Sequence, residues 1–106
     1  MLQLVLGPMF GGKTNELLRR LTRHQISGKK VILLRPDSDT RPSLTHNNID
    51  HPIEERFVHE INVENLISKY EVVGIDEGQF FNGRFRESVN VLADHGVIVI
   101  VSALNG

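Results

Sequence analysis

Apolar positions along the chain fall into short blocks whose spacing switches between the period of a strand and that of a helix. Leu2 to Leu6 is an apolar run stopped by Gly7-Pro8, the pattern of a buried strand. From Lys13 onward the spacing is helical. Glu16, Leu17, Leu18, Leu21 and Ile26 form one stripe, Arg19, Arg20 and Arg23 lie largely off it, and Gly28 supplies the stop. Lys30 to Leu34 reads as a second buried strand ended by Arg35-Pro36. Val72 to Ile75 is a third, running straight into Asp76-Glu77. Phe85 to His95 places Phe85, Val89 and Leu92 on one helical face with Gly96 as its stop, and Val97 to Val101 is the most hydrophobic strand of the chain. Between these blocks, Pro36 to Glu55 is rich in Asp, Ser, Thr, Asn, His and Pro and reads as a long loop with room for a hairpin. Arg56 to His59 fits a short strand, and Asn62 to Lys69 a short helix that Asn62 can cap.

Strands that alternate with helices, and that are apolar throughout rather than at every second position, imply a parallel sheet covered on both faces. The expected architecture is therefore α/β, a three-layer sandwich of helices on a parallel sheet. Since the sequence stops at Gly106, just past Val97–Val101, that strand is expected to lack a covering helix, leaving the sandwich incomplete at its C-terminal end. An uncovered apolar face favours self-association.

Composition narrows the function. The 106 residues suit a single domain, and the net charge of −1 gives no overall field for nucleic acid or an anionic membrane. The charge is uneven: residues 1–41 hold eight Lys and Arg against three acids, and residues 42–106 hold four against ten. An N-terminal excess of cations suits a small polyanion. The absence of cysteine excludes a disulfide framework, thiol catalysis and a Cys-type zinc site within this stretch. His24, His46, His51, His59 and His95 have no short ligand spacing, so zinc is not expected here. The six-residue apolar start has no basic leader and is too short for a membrane span, so the expected location is cytoplasmic, with no membrane and no nucleic-acid partner.

Gly7-Pro8-Met9-Phe10-Gly11-Gly12-Lys13-Thr14 matches G-x-x-x-x-G-K-[ST], and it lies between a predicted strand and a predicted helix, as a phosphate-binding loop requires. Glycines let backbone amides turn toward phosphate oxygens, and the helix N-terminus adds a favourable dipole. Lys13 would bridge the β and γ phosphates of ATP, and the Thr14 hydroxyl would ligate Mg²⁺. The second half of such a site is an acid at the end of a neighbouring apolar strand. Asp76 answers that need, and Glu77 follows at once. Adjacent carboxylates at a strand end point apart, which suggests Asp76 for the metal and Glu77 for a nucleophile's proton.

GPMFGGKTNELLRR, the Asp39-Thr40-Arg41 triplet, Thr45-His46, Gly74 to Phe81 (GIDEGQFF) and the closing Ser102-Ala103-Leu104-Asn105-Gly106 together resemble the type II thymidine kinase family, the cellular, bacterial and poxviral kind. The resemblance spans residues 1–106, which would then form a P-loop NTPase-like, phosphate-donor domain corresponding to the first half to two-thirds of a family member. Two departures stand out: Gly11 stands where Ser is usual, and Asn47 where Asp is common. The resemblance further implies an acceptor part downstream, a zinc domain with a lasso-like loop, which is expected to be absent from residues 1–106.

What the resemblance implies is transfer of the γ-phosphoryl of ATP to the 5′-hydroxyl of thymidine or deoxyuridine, in a homo-oligomer, tetramer or dimer. Glu77 falls at the family's general-base position. Lys13 and Arg41 would act on the transferring phosphoryl, Asp39, Asp76 and Thr14 would serve Mg²⁺, and Gly78 and Gln79 would complete the turn beside the nucleotide. Phe80 would pack near the acceptor base. Two other readings share these residues. Asp76-Glu77-Gly78-Gln79 also resembles the DExx box of a helicase or motor ATPase, and a non-catalytic nucleotide-binding module would need the same loop without turnover.

Overall fold

The computed structural model describes residues 1–7, 12–43, 52–81 and 84–104. Five strands, β1 (Leu2–Gly7), β2 (Val31–Pro36), β3 (Glu54–Val58), β4 (Val72–Ile75) and β5 (Ile98–Leu104), form one sheet in the order β1-β5-β4-β2-β3. All four pairings are parallel. The helices are α1 (Lys13–Ile26), α2 (Val63–Ile67) and α3 (Phe85–Asp94), with a 3-10 turn at Gly78–Phe80. The architecture is the expected three-layer α/β sandwich.

Alternation along each strand divides the core in two. Val31 and Leu33 of β2, Val72 of β4 and Ile100 of β5 pack with Val5 against Leu17 and Leu21 of α1. Their neighbours Ile32, Leu34, Val73, Ile75, Val99 and Val101 pack on the other face against Leu66 of α2 and Val89 and Leu92 of α3. Strands buried on both faces cannot alternate polar and apolar residues, which is why the central ones read as continuous apolar runs.

Element ends follow local chemistry. The Asn62 side chain accepts a hydrogen bond from the Asn65 amide at 3.3 Å and so caps α2. Gly28 and Gly96, at φ 96° and 85°, take the left-handed turns that let the chain leave α1 and α3 for the next strand. Some expected boundaries move. The second strand runs through Arg35 to Pro36, and the short strand begins at Glu54 rather than Arg56 because its parallel partner is the far end of β2, Ile32 to Pro36. Ile26, expected on the apolar stripe of α1, is exposed in the helix's last turn, past the sheet it would have to reach. Residues 44–51, where a hairpin had room to form, lie outside the described residues.

The expected bare strand is not bare. β5 lies between β1 and β4, with α1 over Ile100 and α3 over Val99 and Val101, because the helix that precedes it in sequence folds back onto it. The apolar surface left open belongs to edge strand β1. Leu2, Leu4 and Leu6 are exposed there, opposite the face on which Val5 meets α1.

Gly74 marks the closest approach of helix and sheet. A Cβ at that position would stand 2.4 Å from Cδ1 and 2.9 Å from Cδ2 of Leu21, itself fully buried. Gly74→Ala should therefore cost about 1–3 kcal/mol of folding free energy as Leu21 is forced aside. In a Leu21→Ala background the same substitution should cost close to nothing, and full additivity of the two in urea unfolding would refute the clash.

Candidate active site

In an all-parallel sheet every strand ends on the same edge, and ligands of α/β folds bind in the crevice beyond those ends. Here that edge brings together the end of β1, the start of α1, the loop after β2, the turn after β4 and the last residues of β5. Gly7 closes β1 and Gly12, at φ 81°, opens α1 in a left-handed conformation that a side chain would oppose. Pro8, Met9, Phe10 and Gly11 lie outside the described residues, as do Thr45, His46, Asn47, Asn105 and Gly106. Lys13 is the first residue of α1 and is buried, with its Nζ 3.4 Å from Glu77 Oε1.

Asp76 follows β4, is fully buried, and donates its amide to the Leu34 carbonyl at 3.0 Å. A buried carboxylate is costly unless donors replace its water. Three side chains do so. Ser102 Oγ donates to Oδ1 at 2.5 Å, Thr14 Oγ1 donates to Oδ1 at 3.2 Å, and an Arg41 terminal nitrogen donates to Oδ2 at 2.6 Å. The same Arg41 nitrogen donates to Asp39 Oδ2 at 2.7 Å, so one guanidinium joins the two acids. Asp39 also takes the Arg41 amide and Nε, each at 3.0 Å, and Arg35 Nε at 3.2 Å. These bonds, Arg41's foremost, hold the Asp39 carboxyl down at about 2 and the Arg41 guanidinium above its already high range.

Glu77 has φ 56°, the only positive value among the described residues other than glycine. A non-glycine residue held there costs on the order of 1–3 kcal/mol, and such strain clusters at functional sites. The consequence is visible in where the two neighbouring carboxylates go. Asp76 turns inward to Thr14 and Ser102, whereas Glu77 turns toward Lys13 and accepts from the Gln79 amide, with Arg41 4.0 Å away. Gly78 then passes so near β5 that a Cβ would stand 2.8 Å from Val101 Cγ1. Phe80 is exposed at the end of the 3-10 turn, while Phe81 stacks on Phe85 at 5.2 Å and belongs to the core. Thr40 is exposed in its loop.

Three residues of this cluster were not among those expected: Ser102, Arg35 and Glu55. Each carried a signal. Ser102 is the first polar residue after an apolar strand, and the pairing of Ile75 with Val101 sets it beside Asp76. Arg35 is a charge inside a continuous buried strand, a position that demands partners. Glu55 sits on the adjacent strand, 3.0 Å from Arg35.

The thymidine kinase family model matches residues 1–106. The chain belongs to the thymidine kinase family. It is 41% identical over 113 residues to the thymidine kinase of Thermococcus kodakarensis, covering 98% of this chain and 57% of that protein. It is 40% identical to the thymidine kinase of Raccoon poxvirus and 37% identical to thymidine kinase 1 of Dictyostelium discoideum, covering 60% and 49% of those proteins. This member of the thymidine kinase family thus spans about half to three-fifths of the length of the curated relatives it matches.

The depressed Asp39 carboxyl has a consequence for acid stability. Its folded value of about 2 lies below the ordinary 3.8, so its ion pairs stabilise the fold above 3.8 and that contribution is lost as pH falls toward 2. Asp39→Asn should be less stable than the parent at neutral pH, and the difference should narrow below 3.8 and close near 2. Chemical denaturation at stepped pH checks this, and a gap independent of pH would refute it.

Proposed function

We propose that residues 1–106 are the phosphate-donor domain of a nucleoside kinase that transfers the γ-phosphoryl of ATP to the 5′-hydroxyl of thymidine or deoxyuridine. The observation that carries the reading is the meeting of Lys13, Thr14, Arg41, Asp76 and Glu77 at one sheet edge, in a chain of the thymidine kinase family. Gly7, Gly12 and the intervening residues Pro8 to Gly11 would wrap the phosphates with backbone amides, and Lys13 would exchange Glu77 for a phosphate oxygen.

The charge of the cluster supports a metal nucleotide. Lys13 and Arg41 face Asp39, Asp76 and Glu77, a surplus of one negative charge that would repel a bare triphosphate and accept one carrying a divalent cation. Among the described residues there is no group of three or more His, Cys, Asp or Glu side chains that could hold a metal by themselves. Mg²⁺ needs only one or two protein oxygens when phosphates supply others, and the adjacent Thr14 hydroxyl and Asp76 carboxylate are hard donors of that kind. Asp39, engaged by two guanidinium groups, would contribute chiefly by holding Arg41.

In the transfer step the 5′-oxygen forms a bond to Pγ, the bond from Pγ to the bridging oxygen breaks, and ADP leaves. Glu77 takes the hydroxyl proton, which its strained backbone presents away from Asp76. Arg41 neutralises charge on the transferring group, and exposed Phe80 offers an aromatic face to the acceptor base. Gly78 and Gln79 shape the turn beside the nucleotide, with the Gln79 amide holding Glu77. The exposed leucines of β1 support assembly into a homo-oligomer. We place the enzyme in the cytoplasm; no helix among the described residues is long and apolar enough to cross a membrane.

Glu77→Gln in the full-length protein should lower thymidine phosphorylation about 10²-fold or more, while Mg-ATP affinity stays within about threefold. Lys13→Ala should lose both. Unchanged turnover in Glu77→Gln would overturn the general-base role of that residue, whereas Mg-ATP binding with no thymidine phosphorylation in the parent would favour a non-catalytic nucleotide-binding module.

A further inference from the structure

Arg35 is the largest fully buried side chain among the described residues, and the reaction proposed above gives it no task. An interior guanidinium must find a partner for each donor or cost several kcal/mol. Its partners are not scattered. Nε meets Asp39 Oδ2 at 3.2 Å, one terminal nitrogen meets the Arg41 carbonyl at 3.0 Å, and the other meets the Pro42 carbonyl at 2.9 Å and Glu55 Oε2 at 3.0 Å. The Phe57 ring lies 4.5 Å from the guanidinium carbon. Three of these four hydrogen bonds fall within residues 39–42, and the fourth anchors the group to β3.

The loop has main-chain ties to the body of the protein before this point. Asp37 donates to the Val58 carbonyl at 3.0 Å and Asp39 to the Pro36 carbonyl at 2.9 Å. Beyond Asp39, side chains tie the loop to the sheet: Arg35 to the Arg41 and Pro42 carbonyls, Ser43 to Glu55, and Arg41 to Asp76. Arg35 therefore holds Arg41 from behind, gripping its carbonyl and also the carboxylate that orients its guanidinium. From these contacts we infer that Arg35 is a positioning residue that sets Arg41 against Asp76 and so fixes the cation offered to the nucleotide's phosphates. The inference rests on the nucleotide reading above for its functional half; the placement of Arg41 can be measured without nucleotide.

A lysine could keep the charge but not the fork, since one ammonium cannot reach an Asp39 oxygen and two carbonyls set around a planar group. Arg35→Lys in the full-length protein should keep the amide spectrum of the sheet while the Arg41 Nε–H resonance, hydrogen-bonded to Asp39 in the parent, shifts to a solvent-averaged position. Mg-ATP affinity by calorimetry should fall about tenfold, toward that of Arg41→Ala. In an Arg41→Ala background, Arg35→Lys should change affinity less than about twofold, because its effect passes through Arg41.

Should Arg35→Lys not fold, the pair Arg35→Gln with Glu55→Gln removes the buried charge together with its counter-charge, and the same release of Arg41 is expected. An unmoved Arg41 resonance overturns the inference, as does an affinity loss that is equally large with and without Arg41. Loss of nucleotide binding in neither Lys13→Ala nor Arg41→Ala would instead defeat the nucleotide reading, and the Arg41 resonance would still decide whether Arg35 places it.

Discussion

The cluster at the sheet edge depends on one buried carboxylate. Asp76 has no water to fall back on, so every oxygen lone pair it uses must be met by a donor brought from elsewhere in the chain. The donors arrive from α1 through Thr14, from β5 through Ser102 and from the loop after β2 through Arg41. Those three segments are far apart in sequence and share only the edge where parallel strands end. The desolvation of one acid thus ties the helix that follows the glycine-rich loop to the strand between β1 and β4, and both to the loop that carries the second cation.

The same geometry explains why two acids stand side by side without acting as one. If Glu77 had an ordinary extended backbone it would continue the strand's alternation and point to the face opposite Asp76, into the packing of β4. The left-handed turn instead swings it out toward Lys13, and Gly78 is required next because the chain passes Val101 with no room for a side chain. The 3-10 turn, closed by the Phe80 amide on the Glu77 carbonyl at 3.0 Å, holds that conformation. Local strain is exchanged for two carboxylates with separate environments, one inward and hydrogen-bonded, one half-buried and near a cation.

Much of this was legible in the sequence because the signals were local. A glycine-rich stretch between an apolar run and a helical stripe, and an acid directly after a second apolar run, locate Lys13, Thr14, Asp76 and Glu77 without any knowledge of the sheet order. The strand order was not legible. Nothing in Val97–Val101 says that it inserts between β1 and β4, and so its two covered faces, and the exposed leucines of β1 in its stead, could not be read. Ser102 was missed for the same reason, since its meaning depends on which strand lies beside Asp76. In the sequence, Arg35-Pro36 looks like no more than the end of a strand. Only the pairing of β2 with β3 shows that Glu55 and Phe57 are there to receive it.

The charge count carries less than it suggests, because the fold separates the cations it adds together. Eight of the basic residues lie in residues 1–41, and that excess suggested a diffuse attraction for a polyanion. The fold disperses most of them. Arg19 and Arg20 are tied to Glu16 on the outer surface of α1, at 2.7 Å each, and Arg23 lies in the last turn of that helix. Lys29 and Lys30 precede β2, at the opposite end of the sheet from Lys13 and Asp76, and Arg35 is enclosed by its own partners. Only Lys13 and Arg41 reach the strand ends, and both already face carboxylates. Attraction for a phosphate at this edge therefore cannot come from a field summed over the N-terminal third. Under the proposed function it would come from two cations whose positions are fixed by acids, and whose pairing with those acids a bound nucleotide would have to rearrange. Recognition of the proposed nucleotide would then be a matter of geometry at a few ångströms, where salt screens little, rather than of net charge.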